Sequence, residues 1–286
     1  MACEVSFRWA REVSLMASYK QPVLDKLVSI LDLQAMKQSG EKISCLTAYD
    51  ASFSQLIDQA GVDIMLVGDS LGMVIQGKGT TVPVSIDEMV YHTQCVTKSR
   101  KRSFVIADLP FLSYATAELA LNNTAKLMQE GGAQMVKLEG AHVDIIKFLV
   151  DFGVPVCGHL GLLPQSINQL GAYKVQGKGT FEAEKILEDA KKIEAAGARL
   201  LVLECVPADL AQKISKMLKI PVIGIGAGVD CDGQVLVLYD MLGISIGKRP
   251  RFSKDFMLSA ADVSDAIGQY HLAVKQSQFP TAIHSY

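Results

Sequence analysis

The sequence predicts an α/β fold in the form of a closed (β/α)8 barrel, and three observations predict it. Eight short aliphatic runs alternate with longer amphipathic stretches, the runs are apolar at nearly every position, and no low-complexity linker or composition break divides the chain. Continuous apolar runs belong to parallel strands buried on both faces, whereas alternating ones belong to half-exposed strands. A length of 286 residues suits one such barrel. An open doubly wound sheet is the alternative, since one strand more or fewer would decide between them.

Taken in order, residues 1–28 read as an N-terminal extension, either a flexible tail or a product of the chosen start, with Met16 as an alternative start. They do not read as a targeting peptide, because Glu4 and Glu12 offset Arg8 and Arg11 and no apolar core precedes a cleavage site. Residues 29–286 form the barrel domain. Its strand candidates are ISCLTAYD (43–50), IMLVGDS (64–70), SFVIADLP (103–110), MVKLEG (135–140), VPVCGHLG (154–161), LLVLECVP (200–207), PVIGIGAG (221–228) and LGISIG (242–247). Helices are expected at about 116–130, 142–152, 181–196 and 208–219. Ser85 with Glu88 forms a capping box, Asp50 caps the helix that follows it, and Gly131, Gly153 and Gly197 mark helix ends.

The strand candidates end in polar groups: Asp50, Asp69-Ser70, Asp108, Glu139, His159 and Glu204. In a parallel barrel these ends all open on one face, where residues distant in sequence converge. Asp50 is explained as a helix cap. Asp69, Asp108 and Glu139 lack that explanation, since GDSLG, ADLPF and LEG do not lead straight into a helix. Three carboxylates gathered together repel unless a cation lies among them, and an all-oxygen set points to a hard divalent ion, Mg2+, in an open site. Zinc is disfavoured, because the five histidines form no cluster and no cysteines are paired by spacing. Lys137 lies two positions before Glu139 and faces the same way. It reads either as an ion-pair partner or as the cation that holds a substrate carboxylate or oxyanion. Glu204, with Val202, Val206 and Pro207 around it, is a candidate general base. His159 is as readily a core histidine as a substrate contact.

Together LTAYDASF, MLVGDSLGMVIQG, IADLPFLSYAT, MVKLEG, PVCGHLGLLPQS, YKVQGKG, LLVLECVP and IPVIGIGAG resemble the ketopantoate hydroxymethyltransferase family, from about residue 29 to about 284. The resemblance implies a barrel of the phosphoenolpyruvate mutase/isocitrate lyase type. It also implies Mg2+ and transfer of a one-carbon unit from 5,10-methylenetetrahydrofolate to 3-methyl-2-oxobutanoate. Carried over by motif, it puts the metal on Asp69, Asp108 and Glu139, the keto acid on Asp69, Ser70, Asp108 and Lys137, and the proton acceptor on Glu204. His159 is added as a substrate contact from the residues alone. A homodecamer is the assembly the resemblance implies. The nearest rival is a Mg-dependent 2-oxo acid lyase or mutase of the same superfamily, which folate dependence would separate.

Composition excludes other classes. A net charge of -2 argues against a nucleic-acid partner, and no apolar stretch is long enough to span a membrane. Cys45, Cys157 and Cys205 sit inside apolar runs as reduced core thiols, which fits the cytosol. GMVIQGKGT (72–80) approaches a P-loop, but Gly79 stands where a hydroxyl is needed and TTVPV cannot start a helix, so nucleotide binding is not expected. A second QGKGT at 176–180 has unlike flanks, so no duplication is inferred. Both copies are expected at the rim of the site, as a lid or on the folate side.

Overall fold

The computed structural model describes residues 26–286. Eight parallel strands close in sequence order: β1 Ile43–Thr47, β2 Ile64–Val67, β3 Phe104–Asp108, β4 Met135–Glu139, β5 Val156–Gly161, β6 Leu200–Glu204, β7 Val222–Ile225 and β8 Gly233–Leu236. β8 returns to β1 through the pairing of Cys45 with Val235. The barrel is therefore closed, as the uninterrupted apolar strands predict.

The predicted extension falls mostly on residues 1–25, which with Met16 lie outside the described residues. Val28 is already buried, and its N–H donates to the Arg102 carbonyl at 2.8 Å. Ser29 and Asp32 then form a capping box that starts α1 (Ile30–Ser39).

Asp50 caps α2 (Ala51–Gln59) by accepting from the Phe53 N–H, as expected. A one-turn helix, α3 (Leu71–Val74), follows GDS directly, so that segment does lead into a helix, contrary to the sequence reading. Ser85 and Glu88 form the predicted capping box of α4 (Ile86–Ser99). The expected helix at 116–130 is α5 (Ala117–Ala125), continued by a π-helical turn at Lys126–Glu130. α6 (Val143–Asp151), a one-turn α7 (Ile167–Leu170), α8 (Thr180–Ala195) and α9 (Ala208–Met217) come next.

The largest departure is at the eighth strand. LGISIG forms no strand: it is a loop whose Ile244 and Ile246 are exposed, and GQVL at 233–236 takes the place expected of it. No helix separates β7 from β8. A parallel crossover ordinarily needs a dozen or more residues, so GQVL stands too close behind VIGI to be read as the next strand. The short link turns on Gly226 and Gly228, both in the left-handed region. A side chain at Gly233 would strike the Ile43 carbonyl, so the close approach of β8 to β1 requires glycine there. One-turn α10 (Leu238–Met241) follows β8, and α11 (Val263–Lys275) packs against β1 and α2.

Inward positions repeat every second residue: Ile43 and Cys45, Ile64 and Leu66, Phe104 and Ile106, Met135, Cys157, Leu200 and Val202, Ile223 and Ile225, and Val235 form one buried cluster. At the N-terminal end of the barrel, Asp63 is fully buried and fully partnered. It accepts from the Ser44 N–H and hydroxyl at 3.0 Å each, from Arg102 at 2.9 Å and from Lys275 at 2.7 Å.

Candidate functional site

The same inward parity that fills the barrel places the candidate side chains. Past Ile106 the next inward residue of β3 is Asp108; past Met135 on β4 come Lys137 and Glu139; past Cys157 on β5 comes His159; past Val202 on β6 comes Glu204. The register puts Asp108 beside Lys137, Glu139 beside His159, and Gly161 beside Glu204. Asp69 and Ser70 arrive from the turn after β2. All seven predicted residues line one cavity of about 970 Å³ at the C-terminal ends of the strands. Beneath it the interior is filled, leaving a void of about 10 Å³.

The floor is a set of carboxylates, each held by one oxygen. The Asp69 N–H donates to Asp108 Oδ2 at 3.1 Å, and Gln165 Nε2 donates to Asp69 Oδ2 at 2.8 Å. The Gln165 N–H donates to Glu139 Oε2 at 3.0 Å. Asp108 Oδ1 is buried and lies 2.8 Å from Lys137 Nζ as an ion pair, without the geometry of a hydrogen bond. Burial, then the charges of Asp108 and Glu139, push Asp69 well above the usual carboxylate range, against Lys137 and Gln165. Burial works against a charged Lys137, but Asp108, Glu139 and Asp69 outweigh it and hold the ammonium protonated. The buried lysine thus has the ion pair its burial requires.

His159 stands between two glutamates. Nδ1 is 3.5 Å from Glu139 Oε1 and Nε2 is 3.4 Å from Glu204 Oε2, and neither nitrogen has a hydrogen bond of ordinary length among the described residues. Burial and Lys137 disfavour its charge, yet the two glutamates prevail and raise it to about 9. Glu204 keeps 15% of its side chain exposed, the most open of the acidic groups around His159. Its strand end is braced: Leu162 donates to the Glu204 carbonyl at 2.8 Å, and Gln176 donates to the Cys205 carbonyl at 2.9 Å. A side chain on Gly161 would strike that Glu204 carbonyl, so this junction of β5 and β6 also depends on glycine. Ser70 shares a 2.8 Å hydrogen bond with the Tyr49 hydroxyl.

Among the described residues no three His, Cys, Asp or Glu side chains close around a point as a complete metal cage would. An all-oxygen floor, in which Asp69, Asp108 and Glu139 each have one oxygen held by a hydrogen bond from the chain, suits a different kind of site. A hard ion would draw most of its ligands from water and a bound molecule there.

One family model, ketopantoate hydroxymethyltransferase, matches residues 27–282. The chain belongs to that family. It is 56% identical over 267 residues to the 3-methyl-2-oxobutanoate hydroxymethyltransferase of Alkalilimnicola ehrlichii, covering 93% of this chain and 96% of that one. It is 54% identical to the one of Nitrosococcus oceani, covering 91% and 99%. Among solved structures, a phosphonopyruvate hydrolase superposes with a TM-score of 0.59 at 12% identity, covering 76% of this chain and 84% of that one. An oxaloacetate acetylhydrolase in complex with 3,3-difluorooxalacetate gives 0.56 at 12%, covering 90% and 100%. These two show the barrel architecture.

The family motif PVCGHLGLLPQS runs through a residue to which sequence reasoning gave no role. Gln165 is buried, and besides its bonds to Asp69 and Glu139 it donates to the Leu109 carbonyl at 3.0 Å and accepts from the Tyr114 hydroxyl at 2.6 Å. Its available signal is Pro164, which opens the 3-10 turn Pro164–Ser166 and fixes where Gln165 enters. The two QGKGT loops also part company. Lys178 of the second lines the cavity, whereas Lys78 of the first turns to Glu88 at 3.4 Å and to the Pro83 carbonyl.

Proposed function

We propose that this chain transfers a hydroxymethyl group from 5,10-methylenetetrahydrofolate to 3-methyl-2-oxobutanoate, giving 2-dehydropantoate and tetrahydrofolate. One observation carries the reading: a partly open carboxylate, Glu204, faces across His159 to a floor of three carboxylates and a charged lysine inside a single blind cavity. A 2-oxo acid has one carboxylate, one keto oxygen and one acidic C–H, and the cavity offers a partner for each.

Lys137, held as an ammonium, receives the anionic end of the keto acid, and Ser70, oriented by Tyr49, donates to it. Glu204 takes the proton from C3. His159 fixes the direction of that carboxylate through its 3.4 Å contact. The electron pair left at C3 forms the bond to the folate methylene carbon as one of that carbon's two bonds to nitrogen opens, and that nitrogen takes up the proton removed by Glu204. Water then supplies the hydroxyl that stays on the transferred carbon as its second bond to nitrogen breaks, and the remaining proton of the water goes to that departing folate nitrogen. The gathering of three buried carboxylates and the mutual repulsion around Asp69 fit a site for Mg2+, which Asp69, Asp108 and Glu139 would hold. When bound, the ion would supply the electron withdrawal that makes C3–H of a 2-oxo acid acidic.

The resemblance adds a homodecamer to this reading, and the cysteines and net charge add the cytosol and no nucleic-acid partner. Among the described residues no helix is long and apolar enough to cross a membrane, and all five cysteines are free thiols. The decisive assay incubates the protein with both substrates, with and without Mg2+, and measures 2-dehydropantoate; no product in the complete mixture would reject the reading. Glu204→Gln should bind 3-methyl-2-oxobutanoate yet lose tritium exchange at C3, and normal exchange would remove Glu204 as the base.

A further inference from the structure

The cavity changes sign from floor to mouth. Its floor is acidic, whereas its rim carries Lys174 and Lys178 from the loop after β5 and Lys248, Arg249 and Arg251 from the loop after β8. Among the described residues Lys174, Lys178 and Lys248 make no ion pair, while Arg249 pairs with Asp255 at 2.8 Å. Arg251 lies over the Tyr286 ring and donates to the Ile283 carbonyl at 3.1 Å. Lys174, Lys178 and Lys248, gathered at one opening without ion pairs, repel one another, so their placement calls for an anion.

The keto acid does not account for them, because its single carboxylate meets Lys137 on the floor. Resting on the folate reading above, the geometry points to the other substrate: we propose that this rim is the subsite for the tail of the folate, and that it favours tails carrying several glutamyl carboxylates. The reactive methylene lies at the pterin end and must reach the floor. A cavity entered from one side therefore leaves the carboxylate-bearing end at the mouth. Tyr173, Val175, Ile246 and Phe252 also line the cavity and give it apolar surface suited to flat rings. Asp240 and Glu204 also line the wall below the rim, so an anion is favoured at the mouth and opposed deeper in.

The loop bearing Lys178 is fixed rather than slack. Gln176 is bonded to the Cys205 carbonyl, and Gly177, at φ 80°, packs where a side chain would press on Leu210 and Ile186. The second QGKGT thereby acquires a role: its glycine seats the loop and its lysine faces the ligand.

The test titrates the protein with tetrahydrofolate and with its pentaglutamate, at about 50 mM and about 300 mM salt, where screening of exposed charges differs strongly. The pentaglutamate is expected to bind about tenfold tighter at low salt, the sum of a few exposed ion pairs, with most of that advantage gone at high salt. In Lys174→Ala/Lys178→Ala/Lys248→Ala the two folates should bind within about twofold of each other. Equal affinities in the native protein, or an advantage that survives in the variant, would overturn the proposal. Exchange at C3 of the keto acid, which needs no folate, reports whether the floor has survived; if the triple alanine variant loses it, the corresponding glutamine variant and the salt series on the native protein decide. Binding and turnover of the monoglutamate without a pentaglutamate advantage would sink the rim proposal alone. Failure of both folates to bind while C3 exchange persists would sink the folate reading with it.

Discussion

Asp63 and Asp69 stand at opposite ends of β2, both buried, and burial has opposite outcomes for them. At Asp63 burial alone would raise the carboxyl, but Lys275, Ser44 and Arg102 together outweigh it and hold it below the ordinary aspartate value of 3.8. At Asp69 burial and two like charges act in the same direction, and Gln165 and Lys137 only partly oppose them. One end of the barrel satisfies its charge within the chain. The other leaves charge unsatisfied and opens it to a cavity. Stability is thus concentrated at the N-terminal end and binding capacity at the C-terminal end, the division of labour expected of this architecture.

Four substitutions or titrations would break or sharpen that contrast. Asp69→Asn should show the largest effect, a loss of about a thousandfold or more in turnover, because a floor carboxylate is removed. Its melting temperature should be unchanged or higher, since repulsion is relieved. Mg2+, which should raise the melting temperature of the native protein by binding the folded state, should lose that effect in the variant. A clear drop in stability would show that Asp69 is structural after all. Asp63→Asn should do the reverse: urea unfolding should show a loss of about 3 kcal/mol, because Arg102 loses its carboxylate and Lys275 keeps only Glu41, with turnover per folded molecule retained.

Gln165→Leu should weaken Mg2+ affinity by about 10- to 100-fold, read directly by titration, because Asp69 loses the amide that fixes its orientation. Glu139 keeps the backbone donor of residue 165, so the loss should be partial. The smallest effect is in acid. Because the folded value of Asp63 is depressed, the stability it contributes is fully present above about pH 4 and is lost as pH falls through the folded value. The difference in melting temperature between the native protein and Asp63→Asn should therefore be constant above about pH 4 and narrow below it. A difference that widened in acid would show that Asp63 is not held as a carboxylate.

Most of this was legible in the sequence for one reason: strand parity carries chemistry as readily as it carries packing. Asp108, Lys137, Glu139, His159 and Glu204 continue the inward alternation of their strands, so a correct strand assignment places them without further knowledge. Asp69 and Ser70 lie beyond β2 and were legible through their polar character at a strand end. The eighth strand was misplaced because β7 and β8 are joined by a glycine turn instead of a helix, and periodicity expects a full crossover. Gln165 escaped notice because it acts through an amide and a backbone N–H across a loop, which no spacing encodes. The rim cations were hidden for a related reason. They come from two loops about 70 residues apart, and only the closure of β8 against β1 brings the loop after β8 round to the same mouth.

The blind end of the cavity has a consequence for traffic. With the interior below the floor filled, whatever sits on Asp69, Lys137 and Glu204 came in past the rim and must go out past it. Two molecules sharing such a passage obey the rule of a stack: the last to enter is the first to leave.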